Sequence, residues 1–366
     1  MAEHLDVSRT AIAAQVDRLA ELGLVAETGP ARSRGGRSAA VDLSGSVRFV
    51  GIAIGATSVS VAITDGRLQV LALRRTECDV RQGPEPVLEL ATQLGRELLS
   101  SVGVTRPLGV GVGVPGPVDF RHGISVSPPI MPRWDRHPVR DLLAGRFDCP
   151  VVMDNDVNVM ALGEQLAGSA IAVDNFLFVK IGTGIGCGIV ANGGLYRGMD
   201  GCAGDIGHVR VPDSDILCLC GNTGCLEASF GGAALGRDAL AAARSGRSPL
   251  LRELLDRNGT LTAVEVGQAA GAGDATALQL VRDGGRRVGE VLRGLVSFFN
   301  PSLIVLGGGL MRLGHVLLAE LRSAIYCRSS PLATRTLRIT MGDAGGQAGV
   351  IGAARLVSDQ VYCLAR

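Results

Sequence analysis

The chain has 366 residues, 46% of them hydrophobic, and a formal net charge of +1. The length exceeds one typical domain of about 150 residues, and the apolar content excludes a disordered chain. Near-neutral charge excludes recruitment to nucleic acid or membrane by global charge and leaves only local basic patches. Lys180 is the only lysine, which reads as a compositional bias toward arginine rather than a mechanism. Nine cysteines, an odd number, fit a reducing cytoplasm better than a disulfide framework. Glu3, His4 and Asp6 replace the apolar core of a signal peptide. Runs such as Leu303 to Leu306 are too short to span a membrane, so a cytoplasmic protein with no membrane partner is expected.

The first 45 residues differ from the rest. Ser8 is a helix N-cap, and Ile12, Val16 and Leu19 recur at helical spacing until Gly23. Leu24 to Ala26 reads as a short strand, Thr28 to Ser38 as a loop rich in glycine and arginine, and Ala39 to Leu43 as the returning strand. This is the outline of a winged helix-turn-helix. Its recognition helix would turn Arg9, Thr10 and Gln15 to solvent. Its wing would carry Arg32, Arg34 and Arg37, where arginine reaches phosphates or a narrow minor groove. An amphipathic surface helix followed by a linker explains the same pattern. A complete module usually has a helix before Ser8, and Met1 leaves no room for it, so either the start is truncated or the first helix is missing.

From Val47 the pattern is α/β. Phe49 to Ile63 reads as two strands around Gly55-Ala56-Thr57. Glu85 to Val102 is a helix, Leu108 to Val114 a Gly/Val strand, Val139 to Phe147 a helix, Val151 to Met153 a strand and Val157 to Ala167 a helix. Phe176 to Ile181 and Gly188 to Val190 form a hairpin. Asp283 to Phe299 is a helix and Leu303 to Leu306 a buried strand entering Gly307-Gly308-Gly309. Alternating strands and helices predict an α/β fold. The strand, Gly-x-Thr, strand pattern occurs at Ile54 to Val61 and again at Ile181 to Ile189, which suggests a duplicated fold.

Several constellations carry chemistry. His208 and Cys218-Leu219-Cys220-Gly221-Asn222-Thr223-Gly224-Cys225 offer one imidazole and three thiolates, the donor set of a structural zinc site. Gly221 and Gly224 permit the tight turns this needs. Ordinary buried thiols are the alternative. Gly182-Thr183-Gly184-Ile185-Gly186 follows an apolar strand, as phosphate-cradling loops do, and so does a plain tight hairpin. Gly307 and Gly308 are similar. Asp154-Asn155-Asp156 lies between a strand and a helix, either as a helix cap or to take a hydroxyl proton. Asp205 and Glu227 flank the cysteine cluster, either supporting a metal or binding hydroxyls.

Taken together these motifs resemble the ROK family of repressors, open reading frames and sugar kinases. The resemblance covers Val47 to the C-terminus. It rests on Gly111-Val112-Gly113-Val114-Pro115-Gly116-Pro117-Val118-Asp119, on Asp154 to Asn158 continuing to Ala161-Leu162-Gly163-Glu164, and on Gly182 to Gly188. Ala203-Gly204-Asp205-Ile206-Gly207-His208, the cysteine cluster and Pro301 to Gly309 complete it. It implies an actin-like, ribonuclease H-like ATPase fold of two lobes, 46–156 and 157–366, with the last helix packing back on the first lobe. A partial winged helix over 1–45 would precede them. It also implies sugar contacts from Asn155, Asp156, Asp205, His208 and Glu227, with Asp156 the base in a kinase. Zinc would be held by His208, Cys218, Cys220 and Cys225.

Departures from the family decide the expected function. Kinases of the family carry Asp-x-Gly-Gly-Thr where this chain has Ala53-Ile54-Gly55-Ala56-Thr57. Ala53 cannot support Mg²⁺, on which phosphoryl transfer depends, so Gly55, Thr57, Gly182, Thr183, Gly184, Gly186, Gly307 and Gly308 would form vestigial ATP loops. Asp205 also shortens a usual glutamate by one methylene. The expectation is a sugar-responsive repressor without kinase activity. As a homodimer or dimer of dimers it would bind an inverted repeat and respond to a sugar or sugar phosphate. The alternative is an ATP- and Mg²⁺-dependent hexose kinase with an N-terminal appendage.

Overall fold

The structure is a computed structural model that describes residues 8–33 and 36–364. The chain forms two units. The first runs to Val126 and includes Met131–Asp156 and the segment from Gly349 onward; the second is Ser127–Ile130 with Val157–Ala348.

In the first unit the helix Arg9–Glu21 is capped by Ser8, whose hydroxyl accepts from the Ala11 amide at 3.1 Å. Gly23, at φ +69, ends it, and the Leu24 amide turns back to the Leu19 carbonyl at 2.9 Å. The hairpin that follows is longer than the sequence indicates. Strand β1 (Val25–Ser33) pairs antiparallel with β2 (Gly36–Leu43), with Arg32 opposite Arg37. Residues read as loop therefore lie on a ladder. Low strand propensity is overridden because alternate residues exchange main-chain hydrogen bonds across the hairpin, and a register shift between Glu27 and Gly29 absorbs the misfit.

Next come β3 (Arg48–Ile54), β4 (Ser58–Asp65), β5 (Val70–Glu77), β6 (Gly109–Val114), the short pair β7 (Val118–Asp119) and β8 (Ile124–Ser125), and β9 (Val151–Asn155). The five-stranded sheet has the order β5-β4-β3-β6-β9, antiparallel among β5, β4 and β3 and parallel from β3 to β9. The helices Pro84–Ser101 and Val139–Phe147 pack against its strands. The C-terminal helix Ala348–Leu364 lies against β3 and β6 where they lack side chains. A Cβ on Gly51 would stand 2.0 Å from the Val350 carbonyl oxygen, and one on Gly111 1.7 Å from that of Ala353. The alternating glycines of β6 are thus a helix seat. Tyr362 fixes the far end, its hydroxyl donating to the Gly66 carbonyl at 2.8 Å and its ring set edge-on to Phe49.

The second unit repeats the plan. Its strands are β10 (Phe176–Ile181), β11 (Ile185–Ala191), β12 (Gly194–Tyr196), β13 (Leu303–Gly307) and β14 (Arg338–Met341), ordered β12-β11-β10-β13-β14. Again the first three are antiparallel and the rest parallel. Each sheet is a hairpin strand pair plus a third strand on one edge and two crossover strands on the other, the ribonuclease H-like topology occurring twice. One face of this sheet buries Phe176, Phe178, Val190 and Val305 against Val157 and Ala161 of the helix Asp156–Ala167. The long helix Ala275–Phe299 contributes Val288, Leu292 and Val296 to the other core cluster. That helix begins eight residues before the start read from the sequence. Gly284 and Gly285 weaken its propensity, yet the Phe230 ring would overlap any Cβ on Gly284, at 1.8 Å. Among the described residues no helix is long and apolar enough to cross a membrane.

Candidate functional site

The cysteine cluster is assembled by a short knuckle in the second unit. His208 ends the 3-10 turn Ile206–His208, and Cys225 caps the helix Leu226–Phe230. Between them the Cys218 amide donates to the Asn222 carbonyl at 2.8 Å, and the Gly224 amide to that of Ile216 at 2.9 Å. Gly221 and Gly224 have φ of +91 and +79, which side-chain-bearing residues rarely adopt. The His208 imidazole and the three sulfurs place one donor atom each within 4.8 Å of all the others.

These residues fit a tetrahedral metal. A zinc–sulfur bond of about 2.3 Å gives a tetrahedron edge of about 3.8 Å. Cys220 and Cys225 sulfurs are 3.7 Å apart, and His208 Nδ1 is 3.7 Å from Cys218 Sγ. Desolvation pushes the Cys225 thiol up to about 12 and raises that of Cys218, whereas the Asn222 backbone lowers that of Cys220. A divalent cation would hold all three as thiolates.

With Nδ1 turned to the sulfurs, His208 Nε2 points the other way and lies 3.9 Å from an Asp205 carboxylate oxygen. Glu227 follows Cys225 by two residues, and its carboxylate accepts from the Ile185 amide at 3.0 Å. Desolvation raises the Glu227 pKa, with the Ile185 amide and the charges of His208 and Lys180 opposing and Asp205 reinforcing. Asp205, His208 and Glu227 are therefore one cluster braced by the knuckle. Asn155 and Asp156 belong to the first unit. The strand β9 ends at Asn155 and the helix starts at Asp156, without a linker. The Asn155 side chain donates to the Gly116 carbonyl at 2.8 Å, its amide to Asp154 at 2.7 Å, and Asp156 is only 6% exposed.

Ala53 lies on a cross-strand row with Gly113 and then Asp154. Asp154 is thus two strand spacings away, about 9.6 Å, and does not take the place of a carboxylate at position 53. Gly55 turns the β3–β4 hairpin, its amide donating to the Ser58 carbonyl at 2.8 Å, with Thr57 exposed beside it. Gly182 to Gly184 turn the β10–β11 hairpin, with Thr183 exposed at the tip. A Cβ on Gly186 would meet Val157 at 3.0 Å, and one on Gly184 the Glu227 carboxylate at 2.7 Å. Gly307 lies against the Phe178 ring, and Gly308, at φ +95, against the Ile181 carbonyl. The Gly309 amide nitrogen comes within 3.6 Å of the place a Gly182 Cβ would occupy, so the two glycine runs meet.

On the N-terminal helix Thr10 is exposed and Gln15 half-buried. It stands three residues after Ile12 and four before Leu19, beside the apolar stripe. Arg9 lies in the first turn of that helix, and Arg32 and Arg37 occupy paired backbone positions on the hairpin. Arg34 lies outside the described residues. Sequence reasoning missed Glu164, a carboxylate only 1% exposed that accepts from three amides, Ser169 at 2.8 Å, Asp343 at 3.2 Å and Ala344 at 3.1 Å. The signal was there as a charged residue on the face of a helix that otherwise buries Val157 and Ala161.

Comparison with known proteins places these features. The pattern of the ROK family matches residues 49–360. A glucokinase from Halalkalibacterium halodurans is 31% identical over 315 residues, 85% of this chain and 95% of the enzyme. A putative xylose repressor from Caldicellulosiruptor sp. is 29% identical over 365 residues, 98% of this chain and 90% of the repressor. The solved structure of a ROK family transcriptional regulator, a homologue of the E. coli MLC protein, superposes with a TM-score of 0.83 at 24% identity, covering 99% of this chain and 91% of its own. The chain belongs to the ROK family.

Proposed function

We propose that this protein is a sugar-responsive, DNA-binding transcriptional regulator, acting in the cytoplasm as a repressor. The observation that carries this reading is extent. The xylose repressor aligns over 98% of the chain, whereas the glucokinase aligns over 85%. The helix Arg9–Glu21 and the hairpin β1–β2 ahead of the ROK body are the parts a regulator needs and a kinase does not. In this reading Arg9, Thr10 and Gln15 meet the operator from the helix, and Arg32, Arg34 and Arg37 from the wing. A homodimer reads an inverted repeat, one half-site per protomer.

The effector is a sugar held by Asn155, Asp156, Asp205, His208 and Glu227. His208, Cys218, Cys220 and Cys225 hold zinc, which fixes the imidazole tautomer and leaves Nε2 to face the sugar. When bound, the metal supplies structure and no reaction step. An effector shifts DNA affinity only as far as it binds the two states unequally. Footprinting of the purified protein on the DNA upstream of its gene, with and without a panel of pentoses and hexoses, tests the reading. Protection of an inverted repeat that one sugar relieves is expected; no sequence-specific protection under any condition refutes it.

The glucokinase relatives favour a second reading, a hexose kinase in which Asp156 is the base. Ala53 opposes it, because no carboxylate stands there to position a metal. Hexose-dependent ADP release that Asp156→Asn abolishes would decide for the kinase.

A further inference from the structure

We propose that the C-terminal helix Ala348–Leu364 carries effector binding to the N-terminal hairpin, delivering it at the turn between β4 and β5. This rests on the regulator reading above and names the regulation of that same sugar site. The chain passes from the second unit to the first at Ala348 and Gly349, at the root of this helix. The root is held by the helix whose first residue is Asp156, one of the proposed sugar contacts. About two turns on, that helix presents Gly163 and Glu164. A Cβ on Gly163 would stand 2.0 Å from the Ala348 carbonyl oxygen, and Glu164 accepts from the Asp343 and Ala344 amides. A shift at Asp156 therefore reaches the root through a backbone contact and a buried carboxylate.

The far end of the helix meets the DNA-binding module. From Ala348 to Tyr362 it spans about 21 Å at 1.5 Å per residue. At Gly51 and Gly111 the strands beneath it meet helix backbone. No interlocking side chains fix it lengthwise at these two positions, and small sliding of packed helices is a known form of conformational change. Tyr362 donates to the Gly66 carbonyl at 2.8 Å. Three parts of the first unit come together at Gly66. A Cβ on it would stand 3.2 Å from Val47 Cγ1 and 3.4 Å from the Tyr362 hydroxyl. Val47 ends the segment that joins the wing to β3. Its amide donates to the Ser44 carbonyl at 3.2 Å, and the Ser44 amide to that of Leu24 at 2.9 Å. The next residue of the turn, Arg67, pairs with Asp42 of β2. The turn is stiff, because Asp65 accepts from the Arg67 and Gln69 amides at 2.9 and 2.8 Å. A displacement of Tyr362 thus passes to the linker and the wing together.

Two measurements on the full chain test this. In the first, hydrogen–deuterium exchange of the ligand-free protein is compared with that of Tyr362→Phe, which keeps the ring against Phe49 and removes the hydroxyl. The amides of Val47 and Leu68 and those of β2 should exchange about threefold to tenfold faster in the variant, the effect of one lost hydrogen bond. Unchanged exchange there overturns the proposal. In the second, operator affinity is measured with and without the pentose or hexose of the panel that relieves protection in the wild type. An ordinary coupling is about 5- to 150-fold. It should shrink by about threefold to tenfold in Tyr362→Phe, and further when Arg67→Ala is added, with sugar affinity unchanged by titration calorimetry. A merely structural role would lower operator affinity equally with and without sugar. A wild-type ratio in both variants overturns the proposal. Absence of operator protection in the wild type is a different result. It removes the regulator reading, and the exchange measurement alone then decides whether the helix end holds the hairpin.

Discussion

Glu164→Gln isolates what one buried carboxylate holds together. One Glu164 oxygen accepts from Ala344, and the other from both Ser169 and Asp343. Glutamine has the same shape but only one acceptor oxygen. Whichever way its amide is turned, an NH₂ group faces one or two backbone amides that also donate. At best one charge-assisted bond is lost and one buried amide left unpaired, and the surviving bonds lose their charge. Hydrogen bonds to a charged group contribute about 1.5–3 kcal/mol each, and an orphaned buried donor costs about 1–3 kcal/mol. Relief from burying a charge offsets part of this, so a loss of about 2–4 kcal/mol is expected. For a domain of this size that is a fall of roughly 4–16 °C in melting temperature, at about 2–4 °C per kcal/mol. Differential scanning calorimetry reads it, and the deficit should fall in the transition of the second unit. A loss under about 1 kcal/mol would show that the loop 342–344 holds its conformation without the carboxylate.

Two further variants test the metal and the kinase alternative. Cys220→Ser should lower metal content from about one ion per chain to near zero, read by atomic emission, and should destabilise the protein because metal binding is coupled to folding. Full metal occupancy in that variant would contradict the ligand set. The double variant Ala53→Asp, Ala56→Gly restores the carboxylate and the side-chain-free backbone of the first hairpin. If their absence is what silences phosphoryl transfer, a coupled assay should detect hexose- and Mg²⁺-dependent ADP release in the variant and not in the wild type. Activity in both would place the chain among the kinases.

What the sequence revealed depended on the range of the interaction. Ser8, the Gly23 stop and the cysteine knuckle were legible because their partners lie within ten residues, Ala11 for Ser8 and Asn222 for Cys218. The doubled sheet topology was legible as a repeated hairpin pattern. The start of the helix at Ala275 was not, because Gly284 and Gly285 break a propensity argument that the Phe230 ring and Glu320 overrule in three dimensions. Glu164 was quoted within a motif without a role, since two of its three donors are about 180 positions away.

The same distinction bears on the glycine run Gly182 to Gly188, one of the motifs that carry the resemblance to the ROK family. Gly184, Gly186 and Gly188 are crowded whether or not a phosphate ever binds, whereas a Cβ on Gly182 would meet nothing nearer than 3.6 Å. A Cβ on Gly188 would stand 2.8 Å from that of Ala161 and 2.9 Å from the Val157 carbonyl oxygen, one on Gly186 3.0 Å from Val157, and one on Gly184 2.7 Å from the Glu227 carboxylate. The second hairpin must be glycine-rich to lie against the helix Asp156–Ala167 and beside Glu227. In the first hairpin, a Cβ on Gly55 would come no nearer than 3.4 Å to the Ser58 carbonyl oxygen, an ordinary contact. Packing therefore demands little of that loop, and its residue types report on phosphate and metal chemistry instead. It is there that the chain carries Ala53 and Ala56. The first hairpin carries the departures from the kinase pattern, and the crowded glycines of the second are explained by its packing.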